Sequence, residues 1–410
     1  MTPNSSATVS HARTLTLCFL ACLVEGFDLQ SAGLLAGKYA VDLGFGPAAV
    51  GLSFSANTFG LLIGAPIGGV MGDRIGRKWS LVSAMVFFAL GSLATAASTG
   101  GEMFHLARFL TGMGLGGALP NLIAVVAEAG PVERTTRRVT VLTACIPIGA
   151  AIGAVILSVF PTVGWRAAFA AGGWLPLALS VLFALRLSET QAFKAARSMA
   201  AHGHPVGADG KLFGPGRTVI TLALWMAFFA TLAANYMLLN WVPSLATRLG
   251  LSRFEVTAAN LSYVLGSVAG ALLLGLNLTK PVVQRQFPLA YLLGLVGVVW
   301  VALAGNDTVQ LCAALALAGA FIAGCQFVLY GFAPTLYPAP VRAKGVGASI
   351  AAGRVGAVAG PGLAGLILGA GGSPATVVLS LVPIVLLALG SAFLVTRLLR
   401  PSSPAATTRL

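Results

Sequence analysis

Pro374-Ala-Thr-Val-Val-Leu-Ser-Leu-Val-Pro-Ile-Val-Leu-Leu-Ala-Leu-Gly-Ser-Ala-Phe-Leu-Val-Thr396 carries no charged residue from end to end. The hydrocarbon core of a bilayer takes about 20 mostly apolar residues of helix, so this run reads as a membrane span rather than a buried helix of a soluble domain. Working outward from it, eleven similar runs cover the chain at 14–36, 48–71, 79–97, 103–127, 139–161, 165–187, 218–242, 254–278, 287–304, 308–332 and 345–370. Over the whole 410 residues, 57% are hydrophobic and 9% charged, with mean hydropathy +0.90. Soluble domains carry about 25% charge, and no stretch long enough for one is left over. The expected fold is an all-α membrane protein of twelve transmembrane helices.

A polar stretch at 188–216, rich in Lys, Arg, His, Gly and Pro, divides six spans from six. It reads as a cytoplasmic linker between an N-terminal half at 1–187 and a C-terminal half at 217–410. A faint repeat, Glu128 to Pro131 echoed by Thr335 to Pro338, makes the halves pseudo-symmetric. Parallel half-repeats of this kind suit a carrier with its site between them.

The net charge of +14 is not that of a nucleic-acid binder, because its distribution follows the membrane. Of the 25 Lys and Arg, Lys38, Arg166, Arg248 and Arg253 fall on one side, Arg108 and Arg354 lie within spans, and the other 19 fall on the opposite side. The positive-inside rule places that richer side, and both termini, in the cytoplasm. Cys18, Cys22, Cys145, Cys312 and Cys325 all lie in apolar runs and read as small core residues. Glu25 and Asp28 interrupt the first run, which argues against a cleaved signal peptide. His202 and His204 in the linker make a poor metal site, and no metal or other cofactor is expected. Glycines at 60, 64, 68 and 72 share one helix face, a spacing that lets backbones approach closely, either for packing or for sliding. Gly112 with Gly116, and Gly356 with Gly360, repeat the spacing.

Four ionisable residues sit inside spans: Glu25, Asp28, Arg108 and Arg354. At a helix centre each costs about 2.5 to 3.5 kcal/mol, so they are expected to face a cavity or one another. Glu25 and Asp28, three apart, share a face, and two neighbouring carboxylates in low dielectric suit a proton carrier. At about 1.5 Å per residue, Asp28 and Arg108 lie at similar depth, roughly 12 and 8 Å from one membrane face. They can form a buried structural pair. Glu25 and Arg354 fall near mid-membrane, where the Arg354 fork matches a carboxylate bidentately. Asn57, Asn121, Asn235, Asn240, Gln326 and Tyr330 are either cavity-lining or helix-joining; Gln326 and Tyr330 share one face four residues apart. No nucleophile with its base and no metal-ligand spacing occurs in the spans, so an enzyme is not expected.

The segment Gly69-Val-Met-Gly-Asp73-Arg74-Ile-Gly76-Arg77-Lys78 resembles the signature loop of the major facilitator superfamily, and Arg108 with Gly112, Gly114 and Gly116 is similar to its second motif. Glu25-Gly-Phe-Asp28 followed by Gly33 resembles the acidic element of the aromatic acid:proton symporters within it. Leu119 to Ile123, Ile146 to Ala150 and Gly353 to Ala357 are similar to the branch that carries 3-(3-hydroxyphenyl)propionate. The resemblance implies the major facilitator fold and uptake of a small aromatic carboxylate with a proton across a bacterial inner membrane, without a cofactor and with a monomer sufficing. With that function, the residues read above become the candidates: Asp28 and Glu25 for proton coupling, and Arg354, Arg108, Gln326, Tyr330, Asn121 and Asn57 for substrate contact. The resemblance also implies a gate in the Gly69 to Lys78 segment, with Arg77 and Lys78 near lipid. Its second-half echo, Gly275-Leu-Asn-Leu-Thr279-Lys280, lacks the acidic residue. A proton-driven exporter shares this fold, but such antiporters carry a Gly-Pro motif late in span five, where this chain has Pro147-Ile-Gly149.

Overall fold

A computed structural model describes residues 5–129, 135–190, 193, 212–213, 217–275, 280–337 and 339–398. The linker at 188–216 lies mostly outside the described residues. So do His202, His204, positions 276–279 of the second-half echo, and Pro131 and Pro338 of the faint repeat.

The described chain forms helices α1 (Ser5–Leu34), α2 (Ala36–Leu43), α3 (Pro47–Ile75), α4 (Arg77–Ala97), α5 (Gly101–Glu128), α6 (Thr135–Val159) and α7 (Trp165–Arg186). After the linker come α8 (Thr218–Arg248), α9 (Arg253–Gly275), α10 (Lys280–Leu303), α11 (Thr308–Ala318), α12 (Gly324–Phe332), α13 (Ala339–Gly369), α14 (Pro374–Leu379) and α15 (Leu381–Leu398). A π-helical turn, Gly319–Ala323, joins α11 to α12 within one span. Among the described residues twelve stretches are long and apolar enough to cross a membrane. With an even number of crossings, the two chain ends lie at the same end of the bundle.

The helix ends follow from local chemistry. The Asp307 carboxylate accepts from the backbone N–H of Val309 and Gln310, both at 3.0 Å, and starts α11. Ser373 does the same for Thr376, with Pro374 at the first helical position of α14. α2 was not foreseen. It is a short amphipathic helix on the connection after α1, and it ends at Gly44, whose φ of 66° suits a residue without Cβ.

One expectation is corrected in detail. The segment 69–78 is not a loop: Gly69, Asp73 and Arg74 continue α3, Arg77 and Lys78 open α4, and only Gly76 breaks the helix, at φ 100°. The freed N–H groups at the start of α4 are satisfied by Glu189 from beyond α7, which accepts from Arg77 N–H at 2.9 Å and more weakly from Lys78 N–H.

Packing inside each half is by close backbone contact, because lipid tails leave little hydrophobic force between helices. Gly60, Gly64 and Gly68 lie directly on the α5 backbone, while Gly112 and Gly116 lie on α3. Gly356 and Gly360 press on α8 in the same way. These stripes therefore serve packing within a half rather than sliding between halves.

Three apolar cores show how the halves meet. One, around Cys18, Met85, Phe88 and Phe183, belongs to the first six spans, and one, around Phe228, Phe287, Leu329 and Phe332, to the last six. The third merges both halves at the end away from the chain termini, through Phe54, Phe104, Trp165, Trp241 and Leu368. There α13 packs on α3, α9 on α6 and α8 on α1. Ser55 Oγ donates to the Val358 carbonyl at 2.8 Å, Gln30 Nε2 to Asn260 Oδ1 at 2.9 Å, and the Phe54 ring meets Trp241 edge-on at 5.4 Å between centroids. Gly51 and Gly365 touch so closely that a Cβ on either would lie 2.9 Å from the other's Cα. The halves are thus sealed at the far end, and each keeps its own core at the near end.

Candidate substrate and proton site

Asp28 on α1 and Arg108 on α5 form a dry ion pair inside the first half. Arg108 donates to both carboxylate oxygens at 3.3 and 3.1 Å, and each residue is 1% exposed. The single Ser92 hydroxyl proton on α4 is shared between the Phe169 carbonyl at 2.9 Å and Asp28 at 3.3 Å, and the Arg108 guanidinium lies 5.2 Å from the Phe169 ring centroid. The pair satisfies itself within low dielectric, as buried charges must. The Tyr39 hydroxyl beside this aromatic wall is fully buried and has no hydrogen-bond partner among the described residues.

Glu25 and Arg354 make a different arrangement. Glu25, one turn before Asp28, is 4% exposed, and among the described residues it has no hydrogen-bond or ion-pair partner. Arg354 on α13 is half-buried, and among the described residues no carboxylate lies within ion-pair distance of it. It instead donates to the Tyr236 hydroxyl at 2.8 Å, with its guanidinium 6.0 Å from that ring's centroid. Glu25 and Tyr330 are near enough to Arg354 to interact with its charge. A charged guanidinium in mid-span faces the bundle interior or a cavity, and the Tyr236 and Tyr330 side chains give Arg354 polar neighbours there.

Gln326 and Tyr330 on α12 lie beside this centre. Asn235 Nδ2 donates to Gln326 Oε1 at 2.8 Å, and the Tyr330 ring meets Phe228 edge-on at 5.6 Å between centroids. The structure thus brings together Glu25, Arg354, Gln326 and Tyr330 and adds Tyr236 and Asn235. Tyr236 was missed as a site residue. Its signal was its place next to Asn235 in an apolar span.

Other expected site residues lie elsewhere. Asn121 is a junction of α3, α4 and α5: its amide donates to the Gly68 carbonyl at 3.0 Å and to Ser80 Oγ and the Gly117 carbonyl at 2.9 Å. At 0% exposed its amide nitrogen joins the three helices, while its Oδ1 has no hydrogen-bond partner among the described residues. Asn57 is buried where α3 crosses α5, with its backbone carbonyl against Gly112 and its Oδ1 without a partner among the described residues. In the Gly76 hinge, Asp73 is 71% exposed and bonds Arg77 at 2.6 Å, one helical turn on. Lys78 reaches over the Trp79 ring. Outside the spans, Asp42 accepts from Trp165 Nε1 at 2.8 Å and Arg166 at 3.0 Å, and the Trp165 bond holds its carboxyl below the usual carboxylate range.

Known proteins of this sequence and shape agree with the geometry. Residues 18–308 match the family model of the Major Facilitator Superfamily. The 3-(3-hydroxy-phenyl)propionate transporter of Escherichia coli (strain K12) is 38% identical over 94% of both chains. The gallate transporter of Pseudomonas putida is 33% identical over 87% of this chain and 85% of its own. The 4-hydroxybenzoate transporter PcaK of Pseudomonas aeruginosa is 30% identical over 88% and 86%. In shape, the inward open conformation of the xylose transporter XylE from E. coli superposes at a TM-score of 0.75 with 16% identity, covering 95% of this chain and 96% of its own. Twelve spans in two halves, a bundle sealed at one end, and relatives that are transporters rather than enzymes lead to one assignment: the chain belongs to the major facilitator superfamily and is a transporter.

Proposed function

We propose that this transporter imports a small aromatic carboxylate together with a proton, by alternating access, through a bacterial inner membrane. The observation that carries the reading is the unmatched pair at the centre: a buried Glu25 carboxylate with no bonding partner among the described residues, beside an Arg354 guanidinium with no carboxylate among them at ion-pair distance. A substrate carboxylate docks on Arg354 by charge-assisted bonds, with the Tyr236 and Tyr330 hydroxyls beside it. An ionised Glu25 competes with that anion for the same positive charge. A proton on Glu25 removes the competitor, so proton and acid favour each other's binding by the same factor, as linkage requires. Aromatic substrates are supported by the relatives' names and by the Phe228, Tyr236 and Tyr330 rings around the guanidinium.

The Asp28–Arg108 pair supplies the second proton-sensitive element. Protonating Asp28 releases Arg108, which loosens the junction of α1, α4 and α5 and lets the first half change its packing. Positive charge clustered at the near end supports a cytoplasmic position for that end and for both termini. The conformation described is then inward-facing, with the Gly51–Gly365 contact closing the outer side. There Arg77 and Lys78 at the hinge lie at the level of lipid headgroups. A monomer contains every part of this cycle.

Uptake into proteoliposomes tests the reading. Radiolabelled 3-(3-hydroxyphenyl)propionate, benzoate and a short aliphatic acid are offered with and without an inward proton gradient. Gradient-stimulated uptake confined to the aromatic acids is expected. Uptake of none of them, or gradient-driven efflux, transfers the chain to the exporter class.

A further inference from the structure

Next to the proposed carboxylate site, three polar side chains are bonded in line through a span interior where each needs a partner. Tyr263 on α9, 1% exposed, donates its hydroxyl to Asn235 Oδ1 at 2.5 Å. Asn235, 8% exposed, donates through Nδ2 to Gln326 Oε1 at 2.8 Å. Gln326 is half-buried. The order of donors settles both amides: the Tyr263 proton takes the Asn235 oxygen, the Asn235 amide takes the Gln326 oxygen, and the Gln326 NH2 group is left with its two N–H groups, one facing the Tyr330 hydroxyl and one for a ligand. Joining α8 to α12 needs one such bond. A relay that is dry at one end and presents an oriented donor at the other does more than join helices.

The donor also has a position relative to the charge. Gln326 and Tyr330 share one helix face about 6 Å apart along the axis, roughly the scale of one aromatic ring. Tyr330 and Phe228 form an aromatic wall, and Tyr330 lies within reach of the Arg354 charge. Along that face the order is cation, aromatic wall, amide donor.

We infer that the Gln326 amide, aimed by Asn235 and Tyr263, is the subsite that reads a hydroxyl group on the ring of the transported acid, so that the protein selects hydroxylated over unsubstituted aromatic carboxylates. This rests on the reading of Arg354 as the carboxylate site. Gln326 touches the substrate hydroxyl, whereas Tyr263 and Asn235 act as positioning residues that hold its amide in one orientation.

The test compares kcat/KM for uptake of 3-(3-hydroxyphenyl)propionate and of 3-phenylpropionate by the wild type, Gln326→Leu and Tyr263→Phe. One hydrogen bond to a substrate group is worth about tenfold, and more where the site is otherwise left unpaired. The wild type is expected to prefer the hydroxylated acid by at least about tenfold. Gln326→Leu should bring the ratio close to one by slowing the hydroxylated acid alone, and Tyr263→Phe, which removes a single oxygen from the dry end, should lower the ratio partway. Three results overturn the inference while leaving aromatic transport intact: equal use of both acids by the wild type, an unchanged ratio in both variants, or a parallel loss for both acids, which marks a purely structural bond. Failure of the wild type to carry either acid removes the carboxylate reading itself.

Discussion

The two acid–base pairs of this bundle share helix α1 and are one turn apart, yet they are built in opposite ways. Asp28 and Arg108 are both 1% exposed, bonded through two carboxylate oxygens and supported by Ser92. Glu25 and Arg354 are close enough to feel each other but unbonded, one without a partner and the other leaning on a tyrosine. The first pair lies within one half, and the second bridges the two. A charge pair closed on itself stabilises a fold. A pair left open across a moving interface is available to a ligand.

The difference can be broken from either side, and the largest effect is expected at the closed pair. Asp28→Asn leaves Arg108 buried without compensation, which costs about 3 to 5 kcal/mol, read as loss of thermal stability in detergent. The double variant Asp28→Asn with Arg108→Gln should recover much of that stability, while accumulation driven by a proton gradient stays lost. If the double variant is no more stable than the single one, the pair is not the compensated unit described.

At the open pair the expected loss is in transport rather than stability. Arg354→Gln removes the charge-assisted bonds to the substrate, each about 1.5 to 3 kcal/mol, so uptake should fall at least about a hundredfold while melting shifts little. A large destabilisation with normal uptake would make Arg354 a structural residue. Tyr236→Phe is the mildest break. It deletes the hydroxyl that holds the Arg354 guanidinium, and KM should rise by about three- to tenfold with kcat nearly unchanged, measured by concentration-dependent uptake.

How much of this was legible beforehand depends on geometry that a sequence does and does not carry. Depth is readable, since each helical residue advances about 1.5 Å, and counting placed Asp28 level with Arg108 before any contact was seen. Rotation about the helix axis is not, because it is set by which neighbours pack. Asn121 and Gln326 look alike as amides in apolar spans, yet one turns into a three-helix junction and the other toward Asn235 and Tyr330 beside Arg354. Tyr236 escaped notice for the same reason. In sequence the segment around Gly76 reads as a loop because its charged residues look like loop residues; in the structure, Asp73 and Arg77 bond across one turn and the chain stays helical on both sides.

The central claim is that proton and acid meet at Glu25 and Arg354, and Glu25→Gln tests it most directly. This variant mimics the protonated carboxyl and fixes the site in the state that accepts the anion. In proteoliposomes it should exchange labelled for unlabelled 3-(3-hydroxyphenyl)propionate across the membrane at close to the wild-type rate, yet fail to accumulate it when an inward proton gradient is imposed. Gradient-driven accumulation at the wild-type level by Glu25→Gln would contradict the account.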